Sequence, residues 1–95
     1  MAMRNKTIVN AINKMYPVEN ERYPVAFIVD GDALVTSESE SYKAPFKVVS
    51  YWHDIPSELY DDFGVAKKLG QWLEKNNLWA EWENAGAVKI IQKEA

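Results

Sequence analysis

The sequence predicts a small single-domain α+β fold, an antiparallel sheet packed by two helices in the order α-β-β-β-α-β-β. Three observations carry that prediction: two segments with apolar residues at helical spacing, short β-branched or alternating runs, and turn dipeptides between them. A chain of 95 residues has room for one core, burying roughly 60–68% of the unfolded surface, so residues 1–95 read as one domain.

The first helix is expected over Asn5–Tyr16, because Ile8, Ile12 and Met15 recur at i, i+4 and i+7 with Val9 and Tyr16 beside them. Pro17 ends it, and Asn5 or Thr7 is the expected cap. Tyr23–Val29 is β-branched and aromatic, and Asp30-Gly31 suits a type I′ turn, whose two central residues need positive φ. The returning strand is Ala33–Ser37, with Phe27 opposite Leu34 and Val25 opposite Thr36. Ser37 to Ser41 reads as an acidic loop, and alternation from Phe46 to Trp52 predicts the third strand of a meander. Pro56-Ser57-Glu58 opens a helical turn, Asp61 or Asp62 caps the second helix, and Val65, Leu69, Trp72 and Leu73 form its stripe up to a stop at Asn76-Asn77. Beyond it, Leu78, Ala80 and Trp82 alternate with Trp79, Glu81 and Glu83 before a turn at Asn84-Ala85-Gly86 and a return over Ala87–Gln92. A hairpin is the preferred reading of residues 78–92. The alternative continues the helix through Trp82, since Trp72, Trp79 and Trp82 also fit helical spacing.

Composition excludes more than it assigns. With 47% hydrophobic and 26% charged residues the chain matches ordinary globular proteins, so a folded domain is expected. The longest apolar run, Val25 to Val29, falls far short of a membrane span, and Met1 to Lys6 has no signal-peptide core; a cytoplasmic protein is expected. No cysteine and one histidine leave no thiolate nucleophile, no disulfide and no Cys/His zinc set. A net charge of −3 is the wrong sign for a general polyanion binder. The acids cluster: Glu19 to Glu40 holds six against Arg22, and Asp54, Glu58, Asp61 and Asp62 follow the third expected strand.

Asp30-Gly31-Asp32 after an apolar strand resembles the aspartate motif of the haloacid dehalogenase-like phosphatases. Ala33 and Leu34 depart from that motif, and 95 residues cannot hold its Rossmann-like domain, so the turn explains these residues. His53 beside Asp54 and Glu58 is the one place where an imidazole meets several carboxylates in sequence, without a nucleophile or a second imidazole. No enzyme, metal or cofactor is expected. A helix, three strands and a helix entered through Lys67 and Lys68 is similar to the double-stranded-RNA-binding domain over residues 5–76. That resemblance implies a nucleic-acid-binding module in which Lys67 and Lys68 grip phosphates. Gln71 stands where the family has a third lysine, and the carboxylates of Asp61 and Asp62 oppose phosphate.

Aromatic residues make up 13% of the chain, with four Trp, more than so small a core needs. Phe27, Phe46, Trp52 and Trp72 are expected inside. In the hairpin reading Trp79 and Trp82 fall on opposite faces, one in the core and one outward. Exposed Trp beside charge is the composition of protein–protein hot spots. The expectation is a non-enzymatic binding protein of the inhibitor or accessory type common in phage and mobile elements. Its interface would centre on Trp79, Trp82, Glu81 and Glu83, with Glu38, Glu40, Asp61 and Asp62 steering a basic protein partner.

Overall fold

The computed structural model describes residues 3–19, 23–39, 41–42, 47–50, 58–61 and 63–93. The predicted class holds: two helices pack on a four-stranded antiparallel sheet. In chain order the elements are α1 (Asn5–Met15), β1 (Ala26–Val29), β2 (Asp32–Thr36), α2 (Lys67–Lys75), β3 (Leu78–Asn84) and β4 (Ala87–Gln92). Across the sheet the order is β1-β2-β4-β3.

The first hairpin has the register that its turn dictates, with Phe27 opposite Leu34, and the Thr36 N–H donates to the Val25 carbonyl at 2.9 Å. Asp30 and Gly31 take φ of 51° and 84°, the two positive values of a type I′ turn. Residues 78–92 form the second hairpin, with a bulge between Trp82 and Asn84, so the helical alternative fails. Asn77 ends the second helix at φ 60°, the left-handed stop expected of asparagine.

The third strand of the expected meander is reduced, among the described residues, to an isolated bridge between Val49 and Val65. The Ser50 N–H donates to Gly64 O at 2.7 Å and the Ala66 N–H to Val48 O at 2.8 Å. On its other side residues 64–66 meet 59–61, where Tyr60 bridges Ala66. β2 therefore pairs with β4 and not with residues 47–50. Both expected caps are also replaced. Arg4 is the N-cap of α1 without a side-chain bond, while Asn5 reaches across to donate to Gly31 O. Ala66 is the N-cap of α2. Asp61 instead accepts from the Phe63 and Val65 N–H groups at 2.9 and 3.0 Å, tying the turn before the helix, and Asp62 lies outside the described residues.

One core joins Ile8, Val9 and Ile12 of α1 to Leu69 and Leu73 of α2 over Ala26, Ala33, Val35, Val88 and Ile90 of the sheet. Each fully buried aliphatic side chain among them contributes roughly 1.5–3 kcal/mol. Trp72 packs at its margin. Phe27 does not enter it: alternation sets Phe27 and Leu34 on the face away from Ala26 and Val35. Phe46 and Trp52 lie outside the described residues.

Candidate functional site

Alternation along β3 turns Leu78, Ala80 and Trp82 toward the core and Trp79 and Glu81 to the opposite face. Trp82 is half-buried, and its indole N–H donates to Phe63 O at 2.8 Å. Trp79 is 36% exposed, its indole N–H donating to Glu81 Oε1 at 3.2 Å. The bond holds a large ring at the surface in one orientation.

β3 also lies at an edge of the sheet, and its hydrogen-bond phase follows from one contact. The Lys93 N–H donates to Asn77 O at 2.9 Å, so the bonded pairs of the β3–β4 ladder fall on Asn77, Trp79 and Glu81. The N–H and C=O groups of Leu78 and Ala80 therefore point away from β4. No backbone group among the described residues meets them there. The other edge is covered at one residue by a different device. On β1 the outward groups of Ala26 are both taken by Asn13 of α1, whose Nδ2 donates to Ala26 O at 2.9 Å and whose Oδ1 accepts from the Ala26 N–H at 2.8 Å. One side-chain amide thus does for Ala26 what a neighbouring strand does.

A groove of about 330 Å³ lies between β3 and α2. Its apolar lining includes Phe63, Val65, Leu73 and Leu78, and Asp61, Glu74 and Lys93 supply its charge. Phe63 is about half exposed, so the groove opens to solvent with an aromatic ring at its mouth. Farther along β3, Glu83 at the bulge is 3.6 Å from Lys89, an exposed ion pair.

The expected interface residues are thus partly gathered. Trp79, Glu81 and Glu83 share β3, and Asp61 lines the same groove as Trp79. Glu38 lies elsewhere, in a second groove of about 490 Å³ lined by Tyr23, Pro24, Phe27, Thr36 and Ser39. Glu40, His53 and Asp54 lie outside the described residues. Lys67 and Lys68 are exposed on the first turn of α2. Sequence reasoning missed Phe63, Leu73, Glu74 and Lys93 as groove residues; the Phe63-Gly64 dipeptide was the available signal, and the groove's long-range packing was not. Among the described residues no group of three or more His, Cys, Asp or Glu is placed to hold a metal ion, and no helix is long and apolar enough to cross a membrane. No family model, curated protein or solved structure matches this chain.

Proposed function

We propose that this is a non-enzymatic binding protein that occupies the surface of a macromolecular partner, a protein with a basic contact surface, as an inhibitor or accessory factor of the phage or mobile-element kind. The observation that carries this reading is Trp79: a large ring held outward by Glu81, on an edge strand, beside an open apolar groove with acidic neighbours. A rigid indole buries much area at little entropic cost, and carboxylates around it raise the encounter rate with a cationic surface. The test is affinity capture from host lysate with the intact chain and with Trp79→Ala, followed by affinity measurement on the recovered protein. Truncating the ring should weaken binding at least tenfold while leaving the circular dichroism unchanged. Unchanged affinity removes the reading.

A nucleic-acid-binding module with the double-stranded-RNA-binding arrangement is the second reading, favoured by the exposure of Lys67 and Lys68 together on one helical turn. Gel shifts with single- and double-stranded RNA and DNA across a salt series separate the two, since phosphate binding weakens steeply with salt.

A further inference from the structure

We infer that the edge of β3 takes up an extended segment of its protein partner as an added antiparallel strand, and that this segment carries an apolar–basic–apolar pattern. The inference rests on the protein-binding reading above and specifies how binding occurs. Leu78 and Ala80 each offer an outward N–H and C=O, two residues apart, which is the spacing at which a new antiparallel strand forms bonded pairs. The partner residues in those two pairs place their side chains on the face that Leu78 and Ala80 share, toward the groove lined by Phe63, Val65 and Leu73. Those two side chains are therefore apolar.

The residue between them falls opposite Trp79 on the other face of the sheet, with Glu81 beside it. A lysine or arginine there meets a carboxylate and the face of an indole at once. Charge around the edge supports this choice: Glu81 and Glu83 lie along β3, Glu83 paired with Lys89, and Asp61 and Glu74 line the adjoining groove with Lys93. The same charges oppose a second copy of this chain as the occupant, because edge-to-edge pairing brings two acidic β3 strands together. Glu81 and Glu83 thus guard the edge against self-association while leaving it open to a cationic strand.

The probe is an acetylated and amidated heptapeptide, Lys-Val-Lys-Val-Lys-Val-Lys, added to the isotopically labelled full chain and followed by NMR. Two control peptides accompany it: one with Glu in place of each Lys, and one N-methylated at each Val, which keeps the charge and side chains but removes the strand's donors. The expected result is that the basic probe slows amide exchange at Leu78 and Ala80 at least tenfold at saturation, less at high salt, while neither control does. Ala80→Pro removes an outward N–H that β4 does not use, and should abolish the effect with the rest of the spectrum retained. If that variant does not fold, the N-methylated peptide carries the same test. Four results overturn the inference: no binding at millimolar probe, equal binding of either control, Leu78 and Ala80 already protected in a dimer without probe, or shifts at the Trp79 indole with unchanged exchange at the two amides. The last of these leaves protein binding through Trp79 standing and removes only the added strand.

Discussion

Replacing Gly64 by alanine tests how the turn that leads into α2 and floors the groove is built. Gly64 has φ of +87°, and a Cβ at this position would stand 2.0 Å from Ser50 O, 3.1 Å from Ser50 C and 3.3 Å from the Trp82 ring. The left-handed backbone alone costs an L-residue about 1–2 kcal/mol. Relief of the overlap cannot come from a flexible side chain, because the nearest atom is a backbone carbonyl; crowding of this kind costs about 1–3 kcal/mol. Moving residue 50 aside also loosens the 2.7 Å bond from the Ser50 N–H to Gly64 O, worth about 1 kcal/mol. Gly64→Ala should therefore lose about 3–6 kcal/mol, a large share of the ~5–15 kcal/mol typical of a domain. Gly31 is the internal control, with φ of +84° and nothing within 4 Å of its Cβ position, so Gly31→Ala should lose only the backbone cost of about 1–2 kcal/mol. Urea unfolding of both variants followed by tryptophan fluorescence reads the difference. Equal losses, within about 0.5 kcal/mol, would refute the close approach of residue 50.

Asn13→Ala should cost about 1–3 kcal/mol, since it strands the N–H and C=O of Ala26 at an edge, and light scattering should show the opened edge associating. Asn13→Asp keeps the acceptor and loses the donor, so urea unfolding should place it between the two. The Tyr16 hydroxyl is buried beside the Leu69 backbone, with no partner in hydrogen-bonding geometry among the described residues, and burial pushes its pKa from 10.0 up to about 12. The raised value means that the folded state holds the proton more tightly. This contribution is complete below pH 10 and is lost as pH rises from 10 through 12, roughly 2–3 kcal/mol in all. Tyr16→Phe should remove that alkaline loss in unfolding titrations and be no less stable than the parent at pH 7.

What could be read from the chain was what nearest neighbours in sequence decide. Asp30-Gly31 fixed a turn and hence the Phe27–Leu34 register, because only residues tolerant of positive φ fit there. The 78–92 hairpin was legible from alternation, and so was the division of Trp79 and Trp82 between two faces. The ambiguity with a helix arose because Trp72, Trp79 and Trp82 fit both periods; Asn77 in the left-handed region breaks the helix before the two later rings. Contacts between distant segments were not legible. Nothing local to Ala33–Thr36 says that β4 will pair with it, and the meander was expected because consecutive strands usually pair. Asn5 and Asp61 look like caps by type, yet each satisfies a different backbone group: Asn5 the carbonyl of Gly31, Asp61 its own turn. Asn13 covers Ala26 at the β1 edge from a neighbouring element, and the groove exists only because α2 packs beside β3.

Amide exchange of the full chain, free and bound to the protein that it captures, reads directly whether a basic protein partner docks on β3 around Trp79. Docking there slows exchange chiefly over Leu78 to Trp82 and the groove turn at Phe63 to Val65, and buries the Trp79 ring, seen as loss of iodide quenching. Protection confined to the Lys67–Lys68 turn of α2 or to the Tyr23–Phe27 side, with β3 unchanged on binding, would contradict it.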